Sequence, residues 1–229
     1  MSFICAMEFK DLLNPQFYID NGGLWLVVFI VFAETGLFAG FFLPGDSLLF
    51  VSGIFSDQLI KSIGVDLGSN FLHVFMLSSM VAIAGIVGNM VGYWFGKKSG
   101  PMLYNRKDSF LFKKKYLHKA HDFYEERGGS TIIIARFLPI IRTFAPIVAG
   151  IVQMDRKKFM FYNVVGSIAW SFSLIFAGFY LNQFLVDKYD FHLEKHLEII
   201  ILIIVLITTA PVVYKLFFAK KKEVPPVKE

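Results

Sequence analysis

Three stretches of this chain contain no Asp, Glu, Lys or Arg: residues 71–96, 159–186 and 199–214, the last flanked by Glu198 and Lys215. A helix needs about 20 mostly apolar residues to cross the hydrocarbon core of a bilayer. Each run is therefore expected to belong to a crossing helix. Two further apolar stretches, residues 24–56 and 129–154, behave differently. Each is interrupted by proline: "FLPGDS" breaks the first, and Pro139 and Pro146 break the second. Proline removes a backbone donor and breaks helices, so these two stretches are expected to turn inside the membrane rather than pass straight through.

The distribution of basic residues gives the orientation, because short cytoplasmic loops are rich in Lys and Arg. Residues 97–127 hold Lys97, Lys98, Arg106, Lys107, Lys113, Lys114, Lys115, Lys119 and Arg127, and are assigned to the cytoplasm with "DRKK" at 155–158 and the tail "AKKKEVPPVKE". Residues 56–70, with one Lys and two Asp, and residues 187–198, mixed with an acidic tilt, are assigned outside. The segment 129–154 then begins and ends on the cytoplasmic side, so it is a re-entrant hairpin with its turn near Pro139 to Pro146. Residues 24–56 form the opposing hairpin if the N-terminus is external.

Shared order supports two repeats. "GG" at 22–23 and 128–129, "FLP" at 42–44 and 137–139, "SGI" at 52–54 against "AGI" at 149–151, and Asn-x-x-Gly at 89–92 and 163–166 recur in sequence. The expected architecture is an all-α integral membrane protein with an inverted-topology repeat. It has two opposed re-entrant helical hairpins, three full transmembrane helices and a cytoplasmic amphipathic helix at 109–127. One membrane domain covers 1–219, with repeat one at 20–96, repeat two at 109–186 and a final crossing at 197–219. Residues 220–229 form a basic tail.

Composition agrees: 55% of residues are hydrophobic, 17% are aromatic with 27 Phe, and only 18% are charged. The net charge of +5 lies beside membrane segments, which argues against a nucleic-acid partner. A single cysteine, Cys5, excludes an internal disulfide, and the first 20 residues lack the basic and apolar regions of a signal peptide. Gly85, Gly88, Gly92 and Gly96 are spaced for close helix packing. Trp25, Tyr93 and Trp94 suit an interfacial aromatic belt.

Four ionisable residues lie in the two broken stretches: Glu34, Asp46, Arg136 and Arg142. Each costs roughly 2.5–3.5 kcal/mol at the centre of a membrane helix, so four isolated charges would cost about 10–14 kcal/mol. Two carboxylates neutralising two guanidiniums would remove most of that cost. Asp46 also suits a helix N-cap. Arginine keeps its charge and presents a fork that fits phosphate at two points. Arg136 and Arg142 are thus candidate phosphate ligands, and Glu34 and Asp46 are candidate ion-pair and proton-coupling groups. A phosphate that displaces the carboxylates would leave them buried and unpaired, so they would take up protons. Pro44, Gly45, Ser47, Pro139, Thr143, Pro146, Gly150 and Asn163 are candidate supporting residues.

The segments "ETGLFAGFFLPGDSLLF" (34–50) and "ARFLPIIRTFAPIVAGIVQM" (135–154), followed by Phe159, Asn163, Gly166 and Trp170, closely resemble the DedA family. This is the bacterial branch of the SNARE-associated Golgi/VTT-domain superfamily. The resemblance spans roughly residues 20–219. It implies a multi-pass inner-membrane protein in which Glu34, Asp46, Arg136 and Arg142 match the family's functional positions. Bacterial members are associated with flipping undecaprenyl phosphate toward the cytoplasm, with membrane potential and with resistance to alkali or cationic peptides, and eukaryotic relatives scramble phospholipids. The expected function is a proton-coupled lipid-phosphate flippase whose partners are the bilayer, a polyprenyl-phosphate or phospholipid substrate and protons. A proton-coupled transporter of a small ion or solute is the alternative. A scaffold for envelope assembly is a further one. None of the five histidines, His73, His118, His121, His192 and His196, falls in either hairpin, which argues against a phosphatase. No cofactor or metal site is expected, and a homo-oligomer is left open.

Overall fold

The computed structural model describes residues 15–36, 45–105, 130–190 and 193. Every regular element of any length among them is an α-helix: α1 (Pro15–Gly36), α2 (Gly45–Ile54), α3 (Ser56–Lys61), α4 (Asn70–Asn105), α5 (Ser130–Arg136), α6 (Pro139–Ile151) and α7 (Arg156–Tyr189). The amphipathic helix expected at 109–127, the final crossing at 197–219, the tail at 220–229 and Pro44 lie outside the described residues.

Among the described residues, two helices are long and apolar enough to cross a membrane, α4 over Asn70–Gly100 and α7 over its full length. At 1.5 Å per residue, the 36 residues of α4 and 34 of α7 reach about 50 Å, well beyond the ~30 Å hydrocarbon core. Both outrun the charge-free stretches. α4 continues past Lys97 and Lys98 to Asn105, because lysines end an apolar run without ending a helix. α7 has a defined start: the Asp155 carboxylate accepts the Lys158 backbone N–H at 2.9 Å, an N-cap bond that satisfies a donor in the first turn.

The other apolar helices are too short to cross. α1 is broken at Gly23 (φ 55°, ψ −153°), a backbone conformation open to glycine, which leaves Gly23–Gly36 as its apolar portion. α2 has 10 residues and α6 has 13. None of these exceeds about 21 Å at the helical rise. Thus the stretch 24–56 contains α1 from Leu24 onward and α2, with residues 37–44 between them outside the described residues, and the stretch 129–154 is two short helices around a break. In the second, the break falls at Phe137–Leu138, not between the two prolines. Pro139 opens α6 at a position where a missing N–H costs nothing. Pro146 lies inside α6 rather than in a turn.

The main core joins Leu24, Val27 and Val31 of α1 to Leu48 and Leu49 of α2, Leu77 and Val81 of α4, and Trp170 and Ile175 of α7. A second, smaller core contains Tyr93, Ile132, Ala149 and Phe159. The Tyr93 and Phe159 rings stack at 4.4 Å, and the Tyr93 hydroxyl donates to the Met154 carbonyl. Tyr93 is therefore buried and takes no part in an aromatic belt, whereas Trp25 and Trp94 are exposed. α3 is pinned to α4 by His73, whose Nδ1 bonds Asp57 at 2.8 Å and whose Nε2 accepts the Leu67 N–H at 2.9 Å. The Lys61 ammonium, and then His73, hold the Asp57 carboxyl below its ordinary range. Its contribution is present above that range and lost as pH falls through the lowered value.

Glycines set the closest crossings. A methyl group on Gly53 of α2 would collide with the Ile175 carbonyl of α7, and one on Gly178 of α7 with the Phe50 carbonyl of α2. A methyl group on Gly150 of α6 would collide with the Tyr93 carbonyl of α4, and one on Gly96 of α4 with the Ile147 carbonyl of α6. These are the same two contacts made twice. They equate 50 with 147, 53 with 150, 93 with 175 and 96 with 178. The "SGI" and "AGI" segments therefore correspond in space. Asn89 and Asn163 do not, because this register matches Asn89 to Ser171. Instead the two asparagines meet, with Asn89 Nδ2 donating to Asn163 Oδ1 at 2.8 Å.

Gly53→Ala, Gly150→Ala and Gly178→Ala are each expected to lower the unfolding temperature in detergent, since overpacking costs about 1–3 kcal/mol. Gly92→Ala places its methyl 3.5 Å from Ile147 and Pro146 and should change stability by about 0.5 kcal/mol or less. Equal losses at all four positions would contradict the crossings described.

Candidate functional site

The breaks in the two apolar stretches bring four charged side chains together. Glu34 lies in the last turn of α1 and Asp46 in the first turn of α2. Arg136 is the last residue of α5 and Arg142 lies in the first turn of α6. Helix ends carry partial charge, positive at the N-terminus and negative at the C-terminus. By that rule Asp46 and Arg136 are well placed, whereas Glu34 and Arg142 are each at the wrong end. The two badly placed residues are paired with each other: Arg142 Nη2 donates to Glu34 Oε1.

Arg142 also donates through Nη1 to Asp46 Oδ1. One guanidinium thus holds the end of α1 and the start of α2 at once. Asp46 is not a simple N-cap, because its carboxylate is engaged by Arg142 and by the Trp170 indole Nε1–H at 3.0 Å. Gly45 makes room for this arrangement, since a methyl group there would overlap the Glu34 carboxylate. Ser47 and Thr143 are buried beside these charges.

Arg136 is held differently. Both carboxylates bond Arg142 rather than one to each arginine. Arg136 Nη1 donates to Asn163 Oδ1 at 3.3 Å. Asn163 is fixed in turn by Asn89, by Ser167 Oγ at 3.3 Å and by donating to the Ile86 carbonyl at 3.1 Å. Gly85 leaves the space that Arg136 Nη2 fills, and Gly166 lies against its Cδ. Arg136 is only 3% exposed, yet its Nε and Nη2 have no hydrogen-bond acceptor among the described residues. Glu34 Oε2 and Arg142 Nε are likewise buried without partners. Buried guanidinium donors left unmade are costly, so they are unusual in a purely structural ion pair.

Trp170 joins the two arginines. Its ring centroid lies 5.2 Å from the Arg136 Cζ and 4.9 Å from the Arg142 Cζ, which is cation–π range. Sequence reasoning did not place Trp170, Gly85 or Gly166 in the site. A signal was available: Asn163, Gly166, Ser167 and Trp170 follow the i, i+3, i+4, i+7 spacing of one helix face inside a charge-free run.

The supporting residues divide. Gly45, Ser47, Thr143 and Asn163 lie at the charged cluster. Pro146 and Gly150 lie at the α4–α6 crossing, against Gly92 and Tyr93, and so act in packing. Pro139 opens α6, and Pro44 is outside the described residues. Among the described residues there is no group of three or more His, Cys, Asp or Glu arranged to hold a metal ion.

The chain is similar to several known proteins. The VTT domain model matches residues 43–180. Protein DedA of Escherichia coli (strain K12) is 38% identical over 202 residues, covering 87% of this chain and 85% of that protein. An uncharacterized membrane protein of Mycobacterium tuberculosis (strain H37Rv) is 35% identical over 179 residues, covering 76% of this chain and 74% of its own length. The inner membrane protein YqjA of Escherichia coli (strain K12) is 28% identical over 179 residues, covering 78% and 75%. No solved structure matches the chain. A helical chain with two membrane-length helices, a VTT domain over more than half its length and this identity to Protein DedA belongs to the DedA family of membrane proteins.

Proposed function

We propose that the chain is a lipid-phosphate translocase of the bacterial cytoplasmic membrane. Its substrate is undecaprenyl phosphate, moved toward the cytoplasm with proton coupling. On this reading the pairs α1/α2 and α5/α6 are opposed re-entrant hairpins of an inverted repeat, with their tips meeting at the charged cluster. The observation that carries the reading is Arg136, a buried guanidinium with two donor nitrogens that face no acceptor among the described residues. A phosphate monoester would supply those acceptors, and arginine binds phosphate at two points.

The mechanism follows from the competition for Arg142. Two carboxylates and two guanidiniums sum to zero charge. Phosphate enters at Arg136 and its second oxygen competes with Glu34 and Asp46 for Arg142. A displaced carboxylate in this dry site lowers its cost by taking a proton. The proton leaves when the carboxylate returns to Arg142 and the phosphate departs. No covalent bond is made or broken. The alternative, a proton-coupled carrier of a small ion or solute, would use the same carboxylates and draws on the unpartnered Glu34 Oε2. A cation carrier has no use for Arg136, so the guanidinium favours the phosphate reading.

Two variants separate binding from scaffold. Arg136→Lys keeps the charge and loses the fork, so flipping of undecaprenyl phosphate in vesicles should fall by about tenfold or more with little change in unfolding temperature. Arg142→Lys cannot bridge two carboxylates in the same way, so it should lower both flipping and unfolding temperature. Full flipping by Arg136→Lys would contradict the phosphate role. Proton uptake on binding also sets a sign: affinity for the lipid phosphate should rise as pH falls, by up to about tenfold per pH unit for each proton taken up. Binding and transport that do not respond to pH on either side would remove the proton coupling.

A further inference from the structure

A slot at the basic end of the long helices, outside the charged cluster, has the composition of an amphiphile site. It has a volume of about 380 Å3 and is lined by Val87, Met90, Trp94 and Lys97 of α4 and by Arg156 and Met160 of α7. Ligand sites commonly fall between about 300 and 1,000 Å3, mostly apolar with a few convergent polar groups. Here the apolar part includes two unbranched, adaptable methionines that can fit a flexible chain. The stacked Tyr93 and Phe159 rings also line the slot and make a rigid wall.

The charged residues lining the slot are Lys97 and Arg156, and both are exposed. Lys98, Lys157 and Lys158 add positive charge nearby. Among the described residues, the acid adjoining this end of α7 is Asp155, which is engaged in capping the helix. The mouth is therefore strongly cationic while the interior is apolar. Val87 also lines a second apolar groove of about 450 Å3, shared with Trp25, Phe29, Met80, Ile83 and Ala84. Ala84 precedes Gly85, the residue against which Arg136 Nη2 lies. The two grooves follow α4 from its basic end to the level of the buried guanidinium.

We infer that this slot is a docking site for a lipid with a phosphate monoester headgroup. The headgroup sits between Lys97 and Arg156, and the tail lies along Met90 and Met160 and over Val87 into the adjoining groove. The inference extends the translocase reading by giving the lipid a holding position on the surface, but the binding itself does not require that reading.

The test uses the full chain in nonionic detergent, with bound ligand counted by native mass spectrometry. Farnesyl phosphate supplies tail and headgroup, farnesol the tail alone, and inorganic phosphate the charge alone. Farnesyl phosphate should bind at least ~10-fold more tightly than either, and Lys97→Gln with Arg156→Gln should weaken it by ~10-fold or more. Arg136→Gln should leave one farnesyl phosphate bound, and Lys188→Gln, at the other end of α7, should change nothing. Unchanged binding in the double variant overturns the slot, as does farnesol binding equally well. A double variant with a lower unfolding temperature and unchanged binding means that a segment of the chain itself occupies the slot, and this also overturns the inference. A flipping assay on Arg136→Gln judges the translocase reading separately: full flipping there overturns that reading and leaves the slot standing.

Discussion

The structure depends on one guanidinium shared by two carboxylates. Arg142 comes from the second half of the chain, and Glu34 and Asp46 come from the first. Without it, α1 and α2 would end on like charges in a place where water cannot screen them. Its two bonds also offset an unfavourable arrangement of helix ends, since Glu34 and Arg142 both oppose the local dipole. Breaking such a buried pair by removing one partner costs about 3–5 kcal/mol, because the charge left behind has no solvent to turn to. Arg142 is thus committed to the fold, whereas Arg136 bonds no carboxylate and keeps two buried nitrogens without an acceptor among the described residues.

Close helix contact makes that division possible. Glycines at 53, 96, 150 and 178 let α2 lie on α7 and α6 lie on α4 at backbone distance. In lipid there is little hydrophobic force between helices, so small residues and van der Waals contact carry the packing. The two crossings then set the height at which the broken ends meet. Asn89 and Asn163 lock α4 to α7 at that level, and Trp170 lies beside both guanidiniums. The polar centre is buried, and the helices around it are held by backbone contact.

Much of this was legible in the residues. The cost of charge in lipid makes residues 71–96 and 159–186 stand out, and the same cost singled out Glu34, Asp46, Arg136 and Arg142. Prolines and glycines marked the breaks, although Pro146 proved to lie within a helix. Pairing was not legible, because Coulomb's law favours any carboxylate beside any guanidinium, and only the backbone decides which can reach. The repeat register failed for a similar reason: Asn-x-x-Gly recurs by sequence, but the glycine crossings align different residues. Trp170 was hidden because a tryptophan in an apolar run has many uses, and its indole N–H reaches Asp46 from 124 positions away.

The reciprocal crossings have a consequence for how the protein is made. α2 finds its closest partner in α7, and α6 finds its own in α4, so each half supplies the bed for the other. While the ribosome is still producing the middle of the chain, α2 has no α7 to rest on, and Glu34 of α1 and Asp46 of α2 have no Arg142. The first half must wait in the membrane, or at its edge, with two uncompensated carboxyl groups until residues 142 to 178 have emerged. Assembly of this protein is therefore a late event, completed only when the last quarter of the chain is being inserted.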